Sequence, residues 1–404
     1  MVTANPEIPL NRPLASPSIV TRLHGLVVTV DHKKLGLMYI ASALFFLVVA
    51  GLQASVMRLQ LAIPNNNVVA PDTFNRLFTV HGTAMVFFVG MPIVAGFANY
   101  LVPLMIGARD MAFPRLNAFG FWMFLFGAVL LYFSYIAAPG LSGHGSAPDV
   151  GWFAYAPLTG RAFSRGNSTD YWTLSLLLSG VGSLSSSVNV VATVFGMRSP
   201  GMTLMRMPLF VWMMVVVAAM MFIAIPPLTA AQVMLLIDRF LGGNFFNTQS
   251  GGSAVLWQHF FWIFGHPEVY VLMIPGFACA SEIIPVFSRK PMFGYSAMVG
   301  ATTMIAFVSM GVWAHHMFSV MSSVGNTFFM ISTMAISVPT GIKIFNWLAT
   351  MYGGKIRFEL PMLCCLAFLF QFLIAGLTGI MLAAVPFDWQ LTDSYFVVAH
   401  FTTY

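Results

Sequence analysis

Apolar residues run through this chain in long blocks, broken by short stretches rich in Gly, Pro and charge. Nine blocks, at about 36–58, 77–106, 117–138, 171–196, 208–236, 256–286, 294–318, 326–350 and 360–386, are each about 20 residues or longer. As helices they are long enough to cross a hydrocarbon core of about 30 Å. A tenth begins near Tyr395, shortly before the last residue, Tyr404. The pattern predicts an all-α, polytopic transmembrane bundle of nine to ten spans. Residues 1–30 read as an N-terminal tail and 31–404 as one helical domain. The Gly-, Ser- and Pro-rich stretch 139–170 reads as an outside loop.

Composition agrees. Only 7% of the 404 residues are Asp, Glu, Lys or Arg, against roughly 25% in soluble domains, and 58% are hydrophobic. The positive charges set an orientation. Placing the N-terminus in the cytoplasm puts Arg12, Arg22, Lys33, Lys34, Arg109, Arg115, Arg198, Arg206, Arg289, Lys290, Lys355 and Arg357 on that side, against Arg58, Arg76, Arg161, Arg165 and Arg239 outside. The net charge of +6 follows from this distribution; no basic stripe with interleaved aromatics points to nucleic acid. The first 25 residues lack the apolar core of a cleavable signal. Cys279, Cys364 and Cys365, odd in number and inside apolar blocks, read as packing residues rather than a disulfide framework.

Against this background the polar residues inside the blocks stand out. "FGHPEVYVL" at 264–272 places His266, Glu268 and Tyr270 at membrane depth. On a helix His266 and Tyr270, four apart, are neighbours, with Cβ atoms about 6 Å apart; Glu268 points elsewhere, and Pro267 favours a local kink. "WAHHMF" at 313–318 adds His315 and His316. Adjacent residues lie about 100° apart around a helix, so both address one metal only from near their bisector or from a distorted helix. Three neutral imidazoles suit copper, zinc or iron and leave a coordination position open. His81 in "FTVHGTAMVFF" and His400 in "YFVVAHFTTY" lie near block ends, and Gly82 leaves room beside His81 for a flat macrocycle such as heme. Lys343 in "VPTGIKIFNW" is the one lysine deep in a block, with Thr340 three residues earlier on the same face as a hydroxyl neighbour.

In this order "DHKKLG", "GARDMAFPRLN", "GHPEVY", "WAHHMF", "VPTGIK" and "VVAHF" resemble the catalytic subunit of the heme–copper terminal oxidases, the cytochrome c oxidase subunit I family, from about Val28 to Phe401. The resemblance implies a respiratory oxidase of an energy-coupling membrane, most simply a bacterial plasma membrane, that reduces dioxygen to water and pumps protons. It implies copper on His266, His315 and His316, a high-spin heme on His400, a low-spin heme on His81, and a tyrosine, Tyr270, joined to the first copper histidine. A carboxyl at Glu268 would carry protons in transit. One proton route would start at Asp110 and order water by Asn99, Asn117, Asn189 and Ser183 towards Glu268. The other would run from Lys343 past Thr340 to Tyr270, with Ser281 nearby. Arg58 matches an arginine on the low-spin heme, or serves as an interfacial anchor. Partner subunits would bring electrons from cytochrome c or quinol, since no dinuclear copper motif occurs here.

Two positions depart from the family pattern. Thr402 stands where the second ligand of the low-spin heme is a histidine, and Thr392 where a histidine joins Asp393 at magnesium. The family also continues through the rest of a tenth helix and two more, for twelve. A truncated product, a partial sequence and a variant without its second heme all fit this ending. Two alternatives to the oxidase stay open, a nitric oxide reductase relative and a degenerate membrane heme protein without turnover.

Overall fold

The structure, a computed structural model, describes residues 18–137 and 147–402. Among them every regular element is helical. Eight helical stretches are long and apolar enough to cross a membrane. A short surface helix α1 (Ile19–Val27), inside the segment read as a tail, precedes them. The first crossing, α2 (His32–Gln60), starts at Asp31, whose carboxylate accepts the N–H groups of Lys33 and Lys34 at 2.9 and 3.0 Å. That cap satisfies two of the donors a helix start leaves free.

The second crossing is one 36-residue helix, Pro71–Ile106, made of α3 (Pro71–Thr83), a π-helical segment Ala84–Gly90 and α4 (Met91–Ile106). The widened turn begins three residues after His81, and such bulges in α-helices recur at functional sites. Next come α5 (Pro114–Ala137), α6 (Ser168–Gly196), α7 (Leu209–Leu241) and α8 (Ala254–Ser288). Small residues bring these helices together. A Cβ on Gly182 would lie 2.7 Å from the Gly120 carbonyl, and one on Gly36 only 2.9 Å from that of Gly96, so the pairs α5/α6 and α2/α4 approach backbone to backbone. In lipid this close approach takes the place of the hydrophobic drive that packs helices in water.

The last third departs from a simple series of spans. The block at 294–318 is a 15-residue helix, α9 (Tyr295–Ser309), followed by a 3₁₀ turn at Trp313–Met317. The block at 326–350 divides at Ile336 into α10 (Ser323–Ala335) and α11 (Ser337–Met351), because Pro339 has no N–H to return to the carbonyl of residue 335. After α12 (Leu360–Ala383) the chain turns into α13 (Val385–Leu391) and α14 (Tyr395–Thr402).

The described part of the outside loop is packed, with Ala147, Val150, Ala154 and Ala156 buried. Arg239, read from the charge distribution as lying on the non-cytoplasmic side, is only 4% exposed. It pairs with Asp170 and donates to the carbonyls of Thr159, Ser164 and Gly166 at 2.6, 3.0 and 2.8 Å. All that charge is satisfied internally, so the loop is drawn onto the ends of α6 and α7.

Asp31 gives a pH-dependent test. The N–H of Lys34, with that of Lys33, holds its carboxyl below the usual range. A depressed acid stabilises the fold above its unfolded pKa, and that stabilisation disappears as pH falls through the folded value. Asp31→Ala is expected to cost about 1 kcal/mol near neutral pH. The gap from the parent, read as thermal unfolding in detergent, should shrink as pH falls below about 4; a gap constant with pH would contradict the cap.

Candidate metal centre

Three helical segments meet at the histidines. α8 runs unbroken through Pro267, Pro275 and Pro285 and presents His266, 5% exposed. The 3₁₀ turn is pinned by buried Ala314 and Met317, and it aims both its histidines at α8. Adjacent residues lie about 120° apart on a 3₁₀ turn, more than the roughly 100° of an α-helix, so the two rings converge through their side chains and not through the backbone. Their centroids sit 4.3 Å from each other, 4.4 Å (His315) and 5.6 Å (His316) from His266. One ring nitrogen from each of the three lies within 4.8 Å of the others.

The surroundings orient each ring. His315 Nδ1 meets the Thr333 hydroxyl of α10 at 3.0 Å, which leaves its Nε2 available. His316 stacks on Trp262, centroids 3.8 Å apart and planes 10° apart. Trp262 Nε1 donates to the Tyr155 hydroxyl at 2.5 Å, so the packed outer loop supports a ligand wall. His266 has no hydrogen-bond partner on either nitrogen. A buried imidazole left bare on both sides is costly. A metal ion at the centre of the trio would take up one of those two nitrogens, and neutral nitrogen ligands of this kind suit copper, so the residues present fit the group. The Tyr270 ring lies 4.7 Å from that of His266, as their spacing predicts.

Glu268 is 2% exposed, and one of its carboxylate oxygens has no partner. Phe264, one turn earlier, lines a cavity of about 10 Å³ with Ser183 and Gln232. A larger cavity of about 40 Å³ adjoins it, lined by Tyr39, Ser183, Ser186 and Ser187 among apolar groups. Asn117 is fully buried with neither end of its amide bonded, and the Asn99 oxygen is likewise bare. Neither asparagine lines these cavities, whose walls are mostly apolar. Asp110, half-buried, caps the Met111 N–H at 2.7 Å. Asn189 departs from its expected part. Both ends of its amide are taken by the backbone of Phe113, at 2.9 and 3.0 Å, so it clamps the Asp110 loop to α6 rather than ordering water.

Lys343 is completely buried. Its hydroxyl neighbour is Thr302 of α9, at 2.5 Å, not Thr340, whose hydroxyl is turned back to the Ile336 carbonyl of its own chain segment. Thr340 satisfies itself locally, whereas the ammonium reaches across to another helix and over the Phe277 ring at 5.4 Å. Ser281 accepts from Trp347, one turn beyond Lys343, at 3.0 Å. Tyr270, Phe277 and Ser281 share one stripe of α8, with Tyr270 about 10 Å along the axis from Phe277.

His81 and His400 sit on α3 and α14. His81 Nδ1 bonds the Ala50 carbonyl at 2.9 Å, but the space over Gly82 is filled by Trp152, 3.0 Å from where a Cβ would stand. That corrects the expectation that Gly82 opens onto a macrocycle. His400 Nδ1 meets the Thr378 hydroxyl at 3.0 Å, and its ring is within electrostatic reach of His315 and His316. The backbone of Thr402 continues α14. Arg58 is exposed in the last turn of α2, and Asp393 is exposed with φ 59.

The sequence that carries these groups matches known proteins. The family described as "Cytochrome C and Quinol oxidase polypeptide I" matches residues 34–403. The chain belongs to this family. It is 50% identical to cytochrome c oxidase subunit 1 of Bacillus sp. (strain PS3), over 94% of this chain and 60% of that protein. It is 47% identical to quinol oxidase subunit 1 of Bacillus spizizenii, over 93% and 57%. To the probable cytochrome c oxidase subunit 1-alpha of Streptomyces coelicolor it is 46% identical, over 98% and 66%. The chain thus spans about 60% of the length of the curated relatives it matches.

Several site residues of this oxidase-family chain carry no mark in the sequence. Trp262 could have been found, four residues before His266 and therefore on the same face. Tyr155, Thr333, Thr302 and Thr378 come from distant segments, and no spacing reveals them. His32, buried with Nδ1 2.8 Å from the Asn99 carbonyl, is another.

The stacked wall generates a prediction. Trp262→Leu removes both the face against His316 and the bond to Tyr155, and should weaken copper retention about 10- to 100-fold, as loss of outer-shell support does. A chelator titration of copper-loaded protein measures it; unchanged retention would mean that the wall does not orient His316.

Proposed function

We propose that this chain is the catalytic part of a heme–copper terminal oxidase that reduces dioxygen to water and couples the reaction to proton movement. The observation that carries the reading is the buried trio His266, His315 and His316, with both His266 nitrogens unbonded and Tyr270 beside it. His266, His315 and His316 would hold copper, and His400 would hold the high-spin heme. When bound, these groups supply the electrons that oxygen reduction requires.

The chain's own residues do the rest. Thr333 and Trp262 orient His315 and His316 before any ligand arrives, so no reorganisation accompanies the chemistry. Tyr270, against His266, is positioned to give up its phenolic hydrogen. Glu268 receives protons at its unpaired oxygen by way of Asp110, Asn99, Asn117 and the Ser183 cavities. Lys343 hands protons towards Tyr270 with Thr302 as its hydroxyl partner and Ser281 at the end of the stripe. His81 is the candidate for the low-spin heme, with Arg58 at the outer end of α2 near that level. Thr402, where the family carries a histidine, has only a neutral hydroxyl to give, so a low-spin centre would need a ligand from elsewhere. Asp393 is the remaining candidate for magnesium.

The relatives include a cytochrome c oxidase and a quinol oxidase subunit, so either donor fits, through a partner subunit. The N-terminus in the cytoplasm puts Asp110 and the lower end of α11 on the proton-uptake side. A nitric oxide reductase relative is disfavoured by the joint presence of Tyr270, Glu268 and Lys343, while Thr402 is the observation that favours a heme protein without turnover.

Two measurements test the reading. Protein purified from copper-replete cells should hold about one copper per chain at the trio, and His266→Ala or His315→Ala should abolish it, because three ligands fix the geometry together. Full retention in either variant would remove the metal assignment. In vesicles, Lys343→Met should stop oxygen uptake, whereas Asp110→Asn should lower proton release more than uptake; identical behaviour of both variants and the parent would leave Lys343 as a buried structural cation.

A further inference from the structure

The helix α1 sits outside the bundle and has no part in the oxidase reading. None of its nine residues is buried. Ile19, Val20, Leu23, Leu26 and Val27 are nevertheless aliphatic, with exposures of 76, 75, 58, 45 and 54%. At 100° per residue they fill one arc about 120° wide. Thr21 and Gly25 occupy the opposite side, while Arg22 and His24 flank the arc on either edge. An exposed stripe this regular on a capped helix is a binding face. The cap is real: Ser18 Oγ accepts the Thr21 N–H at 3.2 Å.

What meets that face follows from the attachment. Only Val28, Thr29, Val30 and Asp31 separate α1 from the membrane-crossing α2, a link that spans at most about 14 Å. The link is also folded: the Val28 N–H returns to the His24 carbonyl at 3.0 Å, and Thr29 is buried with its hydroxyl accepting the Asp31 N–H at 3.3 Å. The helix is therefore held at the level where α2 enters the bilayer. Lys33 and Lys34, exposed in the first turn of α2, share that level with Arg22. Three cations beside an apolar stripe complement anionic headgroups over acyl chains.

We propose that α1 is an in-plane membrane anchor, its Ile19–Val20–Leu23–Leu26–Val27 face seated in the lipid interface and Arg22, Lys33 and Lys34 on lipid phosphates. The test places one fluorophore at Leu23→Cys or Gly25→Cys, with Cys279, Cys364 and Cys365 replaced by Ser. The full chain is reconstituted in phosphatidylcholine vesicles with and without phosphatidylglycerol. Nitroxide lipids should quench the Leu23 site several-fold more than the Gly25 site, and aqueous iodide should do the reverse. Phosphatidylglycerol should deepen the difference, and Arg22→Gln should reduce that response. Equal quenching at the two sites would overturn the proposal. So would a Leu23 site shielded from both quenchers, because a protein segment would then cover the face. Leu23 and Gly25 are exposed but Cys365 is buried, so thermal unfolding of the cysteine-free chain is compared with that of the parent before labelling, and oxygen uptake measured on the same vesicles reports separately on the oxidase reading.

Discussion

An imidazole at membrane depth with neither nitrogen bonded is the constraint on which the rest of this protein turns. Burying polar atoms without partners is unfavourable by roughly 1–3 kcal/mol each, and His266 carries two of them in the interior of an apolar bundle. The neighbouring elements make sense as a cage for whatever completes those bonds. The 3₁₀ turn at 313–317 packs on α8 and α10, and from it two adjacent histidines face a third. The chain spends a threonine from α10 and a tryptophan from α8 on holding their rings.

Support for that cage reaches far from it. Asp170 and Arg239 form a buried ion pair whose guanidinium also holds three loop carbonyls. A pair like this adds little net stability when formed, but losing one partner is severe because the other charge is stranded. Here its value is positional. The loop it draws inward carries Trp152 against His81's neighbour Gly82, Phe153 whose carbonyl accepts from Trp257, and Tyr155 under Trp262. Loop, tryptophan and histidine thus form one packed sequence from the outer surface to the candidate metal centre.

The two polar seams show the same economy. On one side Asn117, Asn99 and Glu268 keep unpaired buried atoms, the kind of group that internal water satisfies in proteins. On the other, Lys343 is the only lysine taken fully out of water, and it is accommodated by one threonine, a carbonyl and an aromatic face.

Much of this was legible from the chain alone, and for a definite reason. Helical periodicity is local, so the apolar blocks predicted the crossings, and a spacing of four predicted that His266 and Tyr270 would touch. The length of the blocks, the paucity of charge and the order of the motifs likewise need no folding to be read. What only the tertiary structure decided was every partner supplied from another element. Lys343 takes Thr302 rather than Thr340, because a threonine within a helix turns to its own backbone while α9 brings a free hydroxyl alongside. Asn189 serves a loop, Arg239 goes inside, and Trp152 closes over Gly82. The three histidines were recognisable in the sequence as candidates for one centre. Bringing one nitrogen of each within 4.8 Å of the others depended on how the 313–317 turn packs against α8 and α10, which no local spacing reveals.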